Sequence, residues 1–279
     1  MLKKISKIFI KLLVLIDKFL ISFFDKRNFL VFFKDELEKK TIFKHFIFNK
    51  EIKFFCPNQT CYWRYKSWIT REPDTIEWIN NFRNDKSIFW DIGANIGQFS
   101  LYSSLKHPSL KVFSFEPSTS NLRVLSRNIF LNNLGNKIKI FPIGVTDNNK
   151  FSIMKENNFV EGAALNNLSD TIDGVNEKHA YSTFSMSLNY LIEKSILKCP
   201  NYIKIDVDGL EEKIIFNSNL ILKNKELRSI LIELSDEVEE NFEIVNYIQN
   251  FGFEMKSFNF PSQQREFKNF KNYIFERKK

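Results

Sequence analysis

The run Ser87-Ile-Phe-Trp-Asp91-Ile-Gly93-Ala-Asn95-Ile-Gly97-Gln-Phe99 constrains this chain more than any other stretch. An apolar strand runs into two glycines, and a helical pattern follows at once. That is how a doubly wound α/β domain opens its ligand crevice. Gly93 and Gly97 allow a tight turn and a close backbone approach that a side chain would block. The spacing is Gly-x-x-x-Gly with an Asp two residues before it, not the G-x-G-x-x-G of a dinucleotide site. Oxygens on Asp91 and Asn95 at a strand end suit a cationic or hydroxyl-bearing ligand better than a pyrophosphate.

About one βα unit later, Lys111 to Phe115 reads as a strand ended by Glu116-Pro117, and Ser118-Thr119-Ser120 offers N-caps for a helix to about Asn133. A carboxylate at the tip of a second parallel strand stands where it can accept hydrogen bonds from both hydroxyls of a ribose. The third element is Asn201-Tyr-Ile-Lys204-Ile-Asp206-Val-Asp208-Gly-Leu-Glu211-Glu212. Alternation puts Lys204, Asp206 and Asp208 on one side of an extended chain, where like charges need a ligand, a lysine or a metal beside them. Glu212 reads as an acid at a helix N-terminus. Asp206 does not, because it lies inside the apolar run.

Together, Phe89 to Gly97, Phe115-Glu-Pro117 and Ile203 to Glu211 resemble the FkbM-type methyltransferases of the class I S-adenosylmethionine-dependent superfamily. Glu72-Pro73-Asp74-Thr75-Ile-Glu-Trp78 is similar to the segment that leads into that family's first strand, and Ile230-Leu-Ile-Glu233-Leu to its fifth strand. The likeness runs from about Arg71 to the C-terminus. It departs at Asp208, where the family usually has Glu, and at Asn189, where it often has Asp.

The resemblance implies a mainly parallel seven-stranded sheet of order 3-2-1-4-5-7-6 with an antiparallel last strand. The pattern fits. Lys137–Phe141, Arg228–Leu234, Phe253–Phe258 and Asn272–Phe275 read as further strands, the last reached through a polar loop, Pro261–Lys268. Helical patterns cover Thr75–Phe82, Gly97–Leu105, Ser118–Asn133, Tyr181–Ser195 and Asp236–Asn250. Alternation of strands and helices argues right-handed crossovers, and the short final connection argues an antiparallel strand. Two regions are expected: an N-terminal extension over 1–70, with an amphipathic helix and a hairpin around Pro57-Asn58-Gln59, and the methyltransferase domain over 71–279.

The formal charge of +8 comes from basic residues scattered along the chain, with no Arg-rich stripe or RNA-binding motif, so nucleic acid is not the expected substrate. Cys56, Cys61 and Cys199 lack zinc spacing, and a reducing compartment is the default. His45, His107 and His179 make no metal motif; His107, before a proline, reads as solvated. Met1 to Phe24 is interrupted by Lys11, Asp17 and Lys18, short of the roughly 20 apolar residues of a membrane span, and no signal-peptide cleavage site follows. The preferred reading is an amphipathic helix packed on the domain or on a partner subunit, ahead of a peripheral contact of residues 1–24 with an anionic membrane. The expected location is cytoplasmic, with the inner membrane face as the surface such a contact would use.

The resemblance implies methyl transfer from S-adenosylmethionine to an oxygen of a small molecule or glycan. Gly93, Ala94, Asn95 and Gly97 would then shape the turn under the methionine part, Asp91 would lie near its amino group, and Glu116 would hold the ribose. The loop Pro142 to Asp147 would lie near the adenine, with Asp147 as the candidate contact. Asp206 is the leading catalytic candidate, as general base, cation ligand or cofactor clamp. Lys204 and Asp208 accompany it, with Glu211 and Glu233 on the substrate side. A divalent cation is a lesser expectation. The competing readings are a nicotinamide-dependent oxidoreductase and a non-catalytic member of the fold.

Overall fold

The computed structural model describes residues 1–24, 29–156, 159–164, 166–169, 180–235, 240–256 and 270–278. Two compact units, Met1–Phe43 and Lys44–Lys279, make up the chain. The division falls earlier than the one expected after residue 70, and residues 44–70 belong to the larger unit. The first unit holds helices α1 (Leu2–Phe24) and α2 (Phe29–Lys40). Leu13 is buried, and the Leu30 N–H donates to Asp17 Oδ1 at 3.4 Å.

Strands β1 (Ile42–Ile47) and β2 (Lys50–Phe55) form a two-stranded sheet. The turn between them is Phe48-Asn49, both with positive φ, a geometry whose twist suits a two-residue hairpin. The hairpin expected at Pro57-Asn58-Gln59 is not there. Asn58 instead caps helix α3 (Gln59–Arg71), accepting the Cys61 N–H at 2.9 Å. Short polar residues serve turns and N-caps equally well, and the cap wins here. Helix α4 (Pro73–Asn80) follows, with proline at its first turn.

The main body alternates β3 (Ile88–Ile92), α5 (Gln98–Lys106), β4 (Lys111–Phe115), α6 (Thr119–Leu131) and β5 (Ile138–Phe141). Next come β6 (Gly144–Thr146), β7 (Lys150–Lys155), β8 (Asn167–Ser169), β9 (Ala180–Ser187) and α7 (Leu188–Glu193). The chain then returns through β10 (Tyr202–Ile205), α8 (Glu211–Phe216), α9 (Asn219–Lys223), β11 (Ser229–Ser235), α10 (Glu240–Asn250), β12 (Phe253–Lys256) and β13 (Phe270–Arg277).

Seven strands form one sheet in the order β12-β13-β11-β10-β3-β4-β5. Counted along the chain this is 3-2-1-4-5-7-6. Strand β13 runs antiparallel to both β11 and β12, whereas β5, β4, β3, β10 and β11 are parallel. The fold is therefore the doubly wound α/β arrangement read from the sequence. Phe89, Trp90 and Ile92 are buried on both faces of β3, as a central parallel strand demands.

A second sheet, order β6-β9-β7-β8, was not foreseen. Residues 180–187 form its strand β9 where a helix had been expected over Tyr181–Ser195, and only Leu188–Glu193 is helical. The run Tyr181-Ser-Thr-Phe-Ser-Met-Ser187 alternates in burial along the strand, and period two overrides the helical reading. Glu156, just beyond β7, ties this sheet to α6. Its carboxylate accepts the hydroxyls of Ser118 (2.8 Å), Ser120 (2.7 Å) and Tyr181 (2.8 Å) at the helix N-terminus. The loop 261–268 and His179 lie outside the described residues. His107 is buried rather than solvated, its Nε2 2.8 Å from the Ile79 carbonyl oxygen, because the chain after α5 folds back over α4.

Candidate functional site

A cavity of about 320 Å³ opens at the carboxyl ends of β3, β4, β10 and β11, within the usual range for small-ligand sites. Parallel strands end there in loops, so side chains from distant parts of the sequence meet at one rim.

The glycine turn makes the floor. Gly93 has φ +79° and lies so close to β10 that a Cβ would collide with the backbone oxygen of Asp206. The N–H groups of Gly93 and Ala94 both donate to the Phe115 carbonyl at 3.0 Å, tying the turn to β4. Asn95 follows with φ 50°, and its N–H donates to Glu116 Oε2 at 2.7 Å. Its amide Nδ2 donates to the Ala163 carbonyl at 2.9 Å, and its Oδ1 is buried with no partner among the described residues. Gly97, in the left-handed region, starts α5 where a Cβ would strike Leu125 of α6. Its part is helix packing, and neither Gly97 nor Ala94 lines the cavity.

Glu116 lines it, with Oε1 accepting the Ser118 N–H at 2.9 Å. Burial pushes its carboxyl up to about 7, against the pull of the two backbone N–H bonds.

Asp91 sits beneath the site rather than in it. Strand alternation turns its side chain toward α5, and the Ser100 hydroxyl donates to its Oδ2 at 2.5 Å. Its other oxygen has no partner among the described residues, and burial raises its pKa in spite of nearby Lys204. Lys204, the register partner of Asp91 on β10, is likewise buried and donates from Nζ to Asp206 Oδ2 at 2.6 Å. Burial alone would lower the lysine, but Asp206, Asp91 and Glu72 outweigh it and hold its pKa above normal.

Asp206 and Glu233 reach the cavity from neighbouring strand ends. Burial pushes Asp206 up, but the charge and hydrogen bond of Lys204 bring it net below the usual range. Burial and the Asp206 charge drive Glu233 up to about 9. The pair therefore holds a protonated Glu233 beside an ionised Asp206. Asp208, exposed and with φ 56°, lies at the mouth. Glu211 does not line the cavity; its carboxylate accepts the N–H groups of Val207 (3.1 Å) and Gly209 (3.0 Å) and braces the loop.

Asp147 is outside the site. The chain turns away after β6, leaving Asp147 exposed, and Ile143, Gly144 and Val145 line the cavity from that segment instead. Asn189 also lies away from it, bonded to Asn219 and to the Leu220 N–H.

Residues that the sequence reading missed come from α3 and its end: Trp63, Arg64, Arg71 and Glu72. Arg64 is buried, its Nε donating to the Gly162 carbonyl at 2.5 Å, and burial lowers its pKa. Arg71 pairs with Glu72 at 2.6 Å. The seven-residue spacing of Arg64 and Arg71 on one helix face was the available signal. Met154 enters from the second sheet and Asn166 from just before its strand β8. Among the described residues, no group of three or more His, Cys, Asp and Glu side chains is arranged to hold a metal ion.

Chemically, the cavity lining combines acceptors (Asn95, Glu116), the Asp206–Glu233 carboxylate pair, the rings of Trp63 and Phe115 and two arginines. Such a rim suits a ligand rich in hydroxyl and cationic donors.

A family model described as the methyltransferase FkbM domain matches residues 91–255, more than half of the chain. Methyltransferase sdnD of Sordaria araneosa is 45% identical over 56 residues, covering 20% of this chain and 22% of the relative. Methyltransferase 1 of Beauveria bassiana is 27% identical over 144 residues, covering 47% of this chain and 58% of the relative. The chain thus spans well under two thirds of both curated relatives. The crystal structure of a methyltransferase FkbM from Methylobacillus flagellatus has a TM-score of 0.46 at 14% identity, covering 78% of this chain and 53% of that one.

Proposed function

The chain belongs to the methyltransferase FkbM domain family, and from that premise we propose that it transfers a methyl group from S-adenosylmethionine to a hydroxyl oxygen of a small molecule or glycan. One observation carries the reading: the glycine turn after β3 meets Glu116 at the tip of β4 and the Asp206–Glu233 pair of β10 and β11 around a single cavity.

The residues present fit such a cofactor. Asn95 lines the cavity and its Oδ1 is a buried acceptor with no partner among the described residues, and Glu116 keeps acceptor capacity beyond its two backbone bonds. When bound, S-adenosylmethionine supplies a methyl carbon already electrophilic on its sulfonium. The protein has then to align the acceptor oxygen, exclude water and take up one proton. Glu116 accepts ribose hydroxyls. Asp91, one layer down, fixes the turn through Ser100 rather than touching the ligand. Asp206, with one oxygen on Lys204, would take the proton of the acceptor hydroxyl on the other, while the oxygen gains the methyl and the methyl–sulfur bond breaks to leave a neutral thioether. Lys204 keeps that carboxylate ionised until then, and protonated Glu233 limits the negative charge the pair carries.

Calorimetric titration with S-adenosylmethionine tests the reading. Glu116→Ala should weaken binding about a hundredfold, the size of two hydrogen bonds to a charged group. In the parent protein, affinity should rise with pH through about 7, as Glu116 ionises. Asp206→Asn should bind the cofactor and lose turnover. Binding of Glu116→Ala equal to the parent would sink the crevice assignment, and full activity of Asp206→Asn would remove that residue from the chemistry.

A further inference from the structure

The N-terminal unit presents an apolar surface beside a cationic one. At about 100° per residue, Lys4, Lys7, Lys11 and Lys18 of α1 fall on one stripe, while Ile5, Ile8, Leu12, Leu15, Ile16 and Phe19 fill the adjoining arc of about 100°. All six are exposed, Ile8 at 69% and Leu15 at 62%. The helix carries five lysines and one acid, and that acid, Asp17, accepts the Leu30 N–H of α2. No helix among the described residues is long and apolar enough to cross a membrane.

We propose that α1 lies in the surface of an anionic phospholipid bilayer, its apolar arc among the acyl chains and its lysine stripe against the headgroups. The charge pattern selects this occupant. A second α1 laid antiparallel on the same arc would bring two lysine stripes together, and one laid parallel would leave both unanswered, since the one acid of the helix accepts the Leu30 N–H of α2, whereas anionic headgroups neutralise the stripe at its border with the apolar arc. The arc is also wider than the narrow seam of a helix pair. At 23 residues the helix extends about 35 Å, and a helix with a broad apolar face bordered by lysines settles in the interface plane.

Vesicle flotation of the full chain tests the proposal, using phosphatidylcholine vesicles with a quarter of phosphatidylglycerol against pure phosphatidylcholine. The parent should float with the anionic vesicles and bind the neutral ones at least about tenfold more weakly. Raised salt should release it. Two triple variants should each lose at least about tenfold: Lys4→Glu with Lys7→Glu and Lys11→Glu, and Ile8→Ser with Leu12→Ser and Leu15→Ser. Parent-like helical circular dichroism reports that α1 is folded in both variants, whereas the cavity belongs to the other compact unit. Failure of the parent to float with anionic vesicles overturns the proposal. So does a lipid-free dimer, measured by sedimentation equilibrium, that the serine variant dissolves while vesicles capture neither form.

Discussion

The two ends of the central sheet are built to different standards. At the amino end, Tyr202 of β10 stacks on Phe82 with ring centroids 3.7 Å apart, and Trp78 meets Phe82 and Phe89 edge-on. Many of the polar groups there are paired. Trp78 Nε1 donates to the Ser229 hydroxyl at 2.8 Å, which passes its own proton to the Phe275 carbonyl. The Arg277 guanidinium donates to four backbone carbonyls. At the carboxyl end, Asp206 and Glu233 crowd each other, Asp91 and Asn95 keep oxygens without partners among the described residues, and Asn95 and Asp208 hold positive φ. Crowded carboxylates and acceptors without partners stand together at the carboxyl end, where a ligand is to arrive, and the packed aromatic end supplies stability that carries them.

The largest effect should come from Gly93→Ala. A Cβ there meets the Asp206 backbone oxygen, which cannot retreat without loosening the Asp206 N–H bond to Ile92 at 3.2 Å. The left-handed φ adds further strain. A loss above about 4 kcal/mol is expected in denaturant unfolding, together with loss of cofactor binding. Gly135→Ala is the control, since a Cβ there meets nothing within 4 Å. Parent-like stability in Gly93→Ala would mean that the strand ends are not closed as described.

A smaller effect should separate the two ends. Trp78→Phe removes the bond to Ser229 and part of a buried ring, and should cost about 1–2 kcal/mol. Its cofactor affinity should match the parent. A changed affinity would show that the aromatic end acts on the site and would weaken the contrast.

The same contrast marks what could be read in the sequence. The strands that carry the site were legible because β3, β4 and β10 are apolar runs ending in Gly93, Glu116 and Asp206, each a local signal, while the strand order came from the family resemblance those motifs carry. The second sheet was not, because β9 is a serine-rich alternating strand whose partner β7 lies some 30 residues away across residues outside the description. Asp147 was misjudged for a related reason. Its segment enters β6 and turns from the cavity, a choice made by pairing with β9 rather than by neighbouring residues. Trp63, Arg64, Arg71 and Glu72 escaped notice because they precede the first strand and meet the site only through tertiary packing.

The smallest effect should be a gain, and it bears most directly on the carboxyl end. Glu233 has a folded pKa of about 9 against an ordinary 4.5. Between those values the native state binds more protons than the unfolded one, so its contribution to stability is complete below about pH 4.5 and drains away as pH rises toward 9. Glu233→Gln does not titrate and keeps an N–H donor for Asp206, so it escapes that loss. At pH 8 it should melt at least about 2–4 °C above the parent, and the difference should shrink toward zero as pH falls to about 5. Turnover should fall in the same variant, because an amide cannot share a proton with Asp206. A melting difference independent of pH would mean that Glu233 is already ionised in the folded protein. The two carboxyls would then not be acting as a pair.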